Sequence, residues 1–257
     1  REEEVAARFA SVFGVEEFDA FLEQGGTQAL IVIQDDAVLY ERYFNGVQRD
    51  TLLTSFSTAK SFDSALVGIA LAEGYIASVD DPITDYLPEL TERDERFTQI
   101  TIRHLLRMAS GMAYQAFRPL LFNSDDILTS YYPDQRKAAL EFSRIVDPPG
   151  NYFSYNKYHP QLLGLIIERA TGMSVTDYMQ QKLWGLVGME FEGSWSLDSE
   201  ESGFEKMEAG LNARAIDYAK LGRLYREQGS WNGTQVVPAG WVVDSTAPDP
   251  ATETDAY

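Results

Sequence analysis

SFSTAKSFDSALVGIALAEG, residues 55–74, decides how the rest of the chain is read. A polar stretch turns here into an apolar helix, and Ser57 and Lys60 stand three residues apart at the turning point. Residues i and i+3 of a helix share a face, with Cβ atoms roughly 5–6 Å apart, so the amine can reach the hydroxyl. A serine is a poor nucleophile at neutral pH until an adjacent base takes its proton. Lysine can act as that base where burial disfavours its charge. Phe62, Ala65, Leu66, Ile69, Ala70 and Leu71 run most of the way round the helix that Ser57 opens. That pattern predicts a helix buried inside the domain and closed by Gly74.

Ser154-Tyr155-Asn156-Lys157 repeats the S-x-x-K spacing, so context must separate the two. Ser154 follows Pro148-Pro149-Gly150 in a polar, aromatic turn, and the next apolar helix starts only at Pro160. Ser57 heads a buried helix, whose first turn offers unpaired N–H groups and a positive dipole end to a developing oxyanion. Context therefore selects Ser57. Tyr155 is a candidate by itself, because a tyrosine beside a lysine can relay protons as a phenolate. Its alternative is a core aromatic whose hydroxyl finds a partner. A Ser–His–carboxylate hydrolase is the rival reading of the site. His104 has apolar neighbours, however, and there is no G-x-S-x-G elbow, so His104 reads as structural. His159, beside Pro160 at a helix start, reads the same way.

The 257 residues are 44% apolar and 24% charged, enough for one large domain or two modest ones. The longest apolar runs, such as residues 29–33, are far too short to span a membrane. A net charge of −19 argues against phosphate backbones and anionic membranes as partners and for solubility. Without cysteine there is no disulfide, no thiolate chemistry and no cysteine-held zinc. Two histidines make a histidine-rich metal site unexpected, and neither metal nor cofactor is called for. No specific carboxylate pair stands out for glycoside hydrolysis.

Residues 2–24 read as acidic amphipathic helices with Val5, Phe9, Val12 and Phe13 on one face. Residues 29–33 and 38–44 read as a hairpin turning at Gln34-Asp35-Asp36-Ala37. Short helices are expected at 101–110, 160–171 (stopped by Gly172) and 213–228 (capped by Asn212 and ended by Gly229). Gln235-Val236-Val237 is a weak third strand. The division expected is 1–79 for the first helices, strands and nucleophile helix, 80–195 for a mainly helical region, and 196–257 for a return to the α/β region. Because a hairpin needs more strands or helical cover, part of the sheet is expected to lie beyond this chain.

Several stretches together resemble the serine β-lactamase-related hydrolases, of the class C and penicillin-binding-protein group. The nearest branch is the esterase and 6-aminohexanoate-dimer-hydrolase type. The matching stretches are residues 55–62; Ile102-Arg103-His104-Leu105-Leu106 with Ser110-Gly111-Met112; and Pro149-Gly150 through Tyr155 to Leu163-Gly164. Gly188-Met189 with Ser194-Trp195-Ser196, and residues 203–207 with Leu211-Asn212-Ala213-Arg214, complete the series. They stand in family order over nearly the whole chain.

The resemblance implies an α/β (α+β) fold, with an antiparallel sheet flanked by helices and a mainly helical subdomain. It implies Ser57 as nucleophile, Lys60 as the group that accepts or holds its proton, and Tyr155 as general base and then acid. The Ser57 N–H would supply half of an oxyanion hole. Lys157 stands where the family's Y-x-N motif has asparagine, while Asn156 lies one place early; both are candidates to bind substrate or support the site. A lysine at 157 adds positive charge that favours a tyrosinate. The family's C-terminal strand motif is absent. The chain is therefore expected to be the N-terminal portion of a longer polypeptide, with its own C-terminal segment as a partner. The implied activity is hydrolysis of a small ester or amide. The alternatives are a penicillin-binding D-amino-acid peptidase or β-lactamase, and an inactive binding or scaffold relative. Aromatic residues between Tyr114 and Tyr132, including Phe117, Phe122 and Tyr131, suggest apolar acyl groups. A periplasmic or secreted location is favoured over a cytoplasmic one.

Overall fold

The computed structural model describes residues 1–116 and 124–248. At the N-terminus α1 (Glu2–Phe13) and α2 (Phe18–Gln24) are separated by a left-handed Gly14 that ends α1. Val5 and Phe9 pack with Ala10, Phe18 and Tyr40 in a small satellite core. Val12 does not share that face: it is 74% exposed, whereas Phe13 is drawn into a stack with Phe9, Phe18 and Phe21.

Next comes the predicted hairpin, β1 (Ala29–Gln34) and β2 (Ala37–Tyr43), paired antiparallel. Its turn residues Asp35 and Asp36 both have positive φ, the geometry that matches the twist of tight hairpins. A three-stranded antiparallel sheet is assembled from distant pieces: β3 (Leu53–Thr54), β4 (Ser194–Trp195) and β5 (Leu211–Ala213), in the order β3-β5-β4. This small sheet brings residues 208–213 beside the segment carrying Ser57.

The buried helix is α3 (Ala59–Ala72), with Ala59, Phe62, Ala65, Leu66 and Val67 inaccessible to solvent. Between it and the second long helix lie α4 (Glu89–Arg93), α5 (Ile102–Leu106), α6 (Asp125–Tyr131) and α7 (Gln135–Phe142). Helix α5 is shorter than expected because Met108 turns left-handed at φ 52°. The second long helix, α8 (Tyr158–Thr171), starts two residues earlier than expected and stops at a left-handed Gly172. It packs along α3 in one core, followed by α9 (Val175–Met179).

Two expectations near the C-terminal side are corrected. Asn212 is not a helix cap. Its backbone is used in β5 and its side-chain oxygen accepts from Thr54 Oγ1 at 2.9 Å, so α10 (Ala215–Arg226) begins only after Arg214. Residues 235–237 do not add a strand to the first hairpin. Gln235 belongs to β7 (Thr234–Gln235), which pairs with β6 (Ser230–Trp231) across a positive-φ Asn232-Gly233 turn, and Val236 and Val237 are buried below it. Helix α11 (Ala239–Thr246) then returns to α3.

Gly68 makes that last contact possible. A Cβ there would fall 2.4 Å from Cγ of Trp241. Replacing Gly68 with alanine is expected to cost about 1–3 kcal/mol of unfolding free energy, read from urea denaturation. Gly222→Ala on α10 is the contrast: its Cβ meets nothing within 4 Å, and the helix preference of alanine should add about 0.5–1 kcal/mol.

Candidate active site

Ser57 lies in a single 3-10 turn, Phe56–Thr58, immediately ahead of α3 rather than inside it. The turn preserves the expected approach of amine to hydroxyl. Lys60, in the first turn of α3, donates from Nζ to Ser57 Oγ at 3.3 Å. It also donates to the Glu208 main-chain carbonyl at 2.6 Å. Across the site, Tyr155 Oη and Ser57 Oγ are 2.7 Å apart, within reach for a proton to pass either way. The Lys60 ammonium lies 5.1 Å from the centre of the Tyr155 ring. Ser57 itself is exposed, while Lys60 and Tyr155 are half-buried.

Tyr155 is delivered by a loop whose main chain is tied to the segment after α5. Ser154 N donates to Met108 O, and Gly150 N donates to Ala109 O, both at 2.7 Å. Asn156 is fully buried and faces away from the cleft: Nδ2 donates to Met112 O, and Oδ1 accepts from Tyr158 N. It orients the loop carrying Tyr155, one residue from the phenol. Lys157 turns to α6, where its ammonium donates to Asp126 and to Ser130 Oγ. Lys157 is thus held by Asp126 and Ser130, and the second S-x-x-K spacing does not build a second Ser–Lys pair like the first.

The phenol is the tuned group. Burial raises the Tyr155 pKa, but Lys60, the hydrogen bond with Ser57 and the positive charge of Lys157 lower it by more. The net direction is below the ordinary tyrosine value, toward a phenolate that can take a proton. The lysine at 157 therefore acts on the tyrosine in the sense expected of it, as the smallest of these contributions.

The histidines serve elsewhere. His104 accepts from Thr101 N at the start of α5, completing a reciprocal helix cap. His159 is buried against Ser110, with Nε2 to Oγ at 2.6 Å, and burial pushes its pKa down to about 3, so it stays neutral. Among the described residues no three His, Asp or Glu side chains gather as a metal site, and no helix is long and apolar enough to cross a membrane. Of the aromatic residues expected near the acyl group, Phe117 and Phe122 lie outside the described residues. Tyr114 is tied to Asp126 and Thr129, and Tyr132 meets Phe142 edge to face, so both belong to the packing; Tyr131 is exposed, its ring centre 5.7 Å from Lys206 Nζ.

Two contributors had not been foreseen. The Glu208 carbonyl carries no side-chain identity, so no residue type could announce it. Phe56, next to Ser57, holds φ at 46° although its side chain is bulky and 72% exposed. A non-glycine residue in that region stores strain at the start of the turn that carries Ser57. Phe56→Gly should relieve it and raise stability by up to about 1 kcal/mol in urea denaturation, since little buried surface is lost.

Comparison with known proteins places the chain in a family. The family model described as Beta-lactamase matches residues 18–256. The chain is 27% identical over 237 residues to the 6-aminohexanoate-dimer hydrolase of Paenarthrobacter ureafaciens, covering 86% of this chain and 57% of that protein. It thus spans little more than half of that relative's length. Among solved structures, a Bacillus anthracis protein assigned as a 6-aminohexanoate-dimer hydrolase superposes with a TM-score of 0.76 at 28% identity, over 89% of this chain and 61% of the other. A penicillin-binding protein from Bacillus halodurans superposes at 0.66 with 19% identity, over 87% and 76%, which speaks for the fold alone. With its mixed helices and antiparallel strands, the chain belongs to the Beta-lactamase family and has the fold of β-lactamases and penicillin-binding proteins.

Proposed function

We propose that this chain hydrolyses a small ester or amide through an acyl-enzyme on Ser57. The observation that carries the reading is the convergence of three side chains: Ser57 Oγ stands 2.7 Å from Tyr155 Oη and 3.3 Å from Lys60 Nζ. In the first half-reaction the Tyr155 phenolate, stabilised by the Lys60 ammonium, takes the Ser57 proton as Oγ attacks the substrate carbonyl. The tetrahedral oxyanion is met by the Ser57 backbone N–H. On collapse, the bond to the leaving group breaks and Tyr155 returns the proton to it, leaving the acyl group on Oγ. In the second half Tyr155 takes a proton from water, hydroxide adds to the acyl carbonyl, and Ser57 leaves with that proton. No net proton is gained or lost by the protein over the cycle.

Ester or amide hydrolysis is preferred over efficient β-lactam turnover because a 6-aminohexanoate-dimer hydrolase is matched over 86% of this chain. Incubation with a p-nitrophenyl ester, and separately with a labelled penicillin, tests the reading by mass analysis of the Ser57 peptide. Ester turnover with a transient acyl adduct supports it. A long-lived penicillin adduct without turnover supports a penicillin-binding protein instead, and neither result supports a binding relative without activity.

Ser57→Ala should abolish turnover, and Tyr155→Phe should lower kcat by about 10²–10⁴-fold, the usual weight of a positioned general base. Near-normal rates in Tyr155→Phe would remove the phenol from the mechanism. In the wild type kcat/KM should rise as pH rises through the lowered Tyr155 titration, because the phenolate is the active form. That acid limb should be missing from the residual activity of Tyr155→Phe.

A further inference from the structure

Behind Lys60 lie two carboxyl groups that the reaction above does not use. Asp63 is one helical turn further along α3, 1% exposed, and neither of its side-chain oxygens has a hydrogen-bond partner. Glu208 is 4% exposed; its main-chain carbonyl receives the Lys60 ammonium, while its Oε2 is buried and unpartnered. The charged groups acting on Asp63 are Lys60 and Glu208. Those acting on Glu208 are Lys157, Lys206 and Lys60.

Among the described residues, the elements packed on α3 offer Asp63 no other ionic partner. From α8 come His159, which is neutral and bonded to Ser110, and Tyr158, whose hydroxyl donates to Asp125. From the turn after α9 comes half-buried Lys182, paired with Glu73 at the far end of α3. From α10 come Tyr218 and Tyr225, whose pKa values burial raises, and from α11 the exposed Asp244, which carries a like charge and acts on Arg103.

An ionised carboxylate buried without partners is strongly disfavoured, so such a group keeps its proton. Burial drives Asp63 well above the usual carboxylate range, opposed by the charge of Lys60 and reinforced by Glu208. Burial also raises Glu208, against its own backbone N–H and the three lysines.

We propose that Asp63 and Glu208 are both uncharged behind Lys60, and that Asp63 is a positioning residue, a buried polar wall one helical turn from the ammonium that does not neutralise it. This deepens the hydrolase reading and rests on it. An ionised Asp63 would draw Lys60 inward and cancel its field at Ser57 and Tyr155. An apolar side chain would leave the half-buried ammonium poorly solvated. A neutral carboxyl avoids both.

The test uses two substitutions on the whole chain. Asp63→Asn keeps a dipole of similar shape and cannot ionise; Asp63→Leu keeps volume alone. Asp63→Asn should hold kcat within about threefold of wild type at neutral pH, while Asp63→Leu lowers it about tenfold or more with KM little changed. Equal losses in both variants, or full activity in Asp63→Leu, would overturn the proposal.

A second readout needs no turnover. An acid whose folded pKa is raised contributes stability that is present below its unfolded pKa, near 4, and lost as pH rises toward the folded value. The melting midpoint of Asp63→Asn should therefore gain on wild type progressively between about pH 4 and pH 8. A pH-independent difference overturns the uncharged pair. If that difference widens but the wild type hydrolyses no ester, the hydrolase reading and the positioning role fall together, while the uncharged Asp63 stands.

Discussion

The hydrogen bond from Lys60 to the Glu208 carbonyl joins residues 148 apart in sequence at 2.6 Å, and the site depends on it. One end belongs to the first turn of α3, one of the two long buried helices of the main core. The other lies just before β5, the central strand of the three-stranded sheet. An acceptor with no side-chain chemistry thus holds the ammonium beside Ser57 and over the edge of the Tyr155 site. Because the carbonyl is neutral, it fixes the lysine without cancelling its charge. The Tyr155 phenol, shifted toward its ionised form, is the beneficiary.

How the two halves of the site are delivered follows from packing. Helix α3 is clamped on opposite sides, by α8 through the main core and by Trp241 seated against Gly68. Gly164 plays the same part on α8, where a Cβ would fall 2.7 Å from Met207. Met207 precedes Glu208, so the tight approach of α8 to this loop also positions the carbonyl that Lys60 needs. Interiors packed at this density tolerate little displacement, and the reacting groups inherit that rigidity.

Much of this was legible in the residues themselves. The apolar coverage of 59–72 marked a buried helix, and Asp35-Asp36 marked a hairpin, because both patterns are local and repeat at the period of the element they form. The approach of Lys60 to Ser57 was legible because i, i+3 geometry survives even when the serine sits in a 3-10 turn before the helix. Tyr155 was marked locally as a tyrosine near a lysine and given its role through family spacing; nothing local says that a loop 98 residues away will carry it to 2.7 Å from Ser57. Asn212 was misread because asparagine favours helix caps and is uncommon in strands, and only the partners β3 and β4 place it in a central strand. The inward turn of Asn156 and the pairing of Lys157 with Asp126 are tertiary facts with no signature in the motif.

The net charge of −19 acquires a different meaning beside this centre. Lys60, Lys157 and Lys206 surround Glu208 near Ser57, so this region is a small cationic island, partly offset by Asp126 against Lys157, in a chain that is anionic at long range. Diffusing anions would be repelled before they could sense the island, since its field fades beyond roughly 10 Å in ordinary buffers. Neutral molecules would feel no such barrier. Added electrolyte would thus quicken encounters with carboxylate-bearing molecules and leave uncharged ones unaffected, making ionic strength itself a selector among ligands.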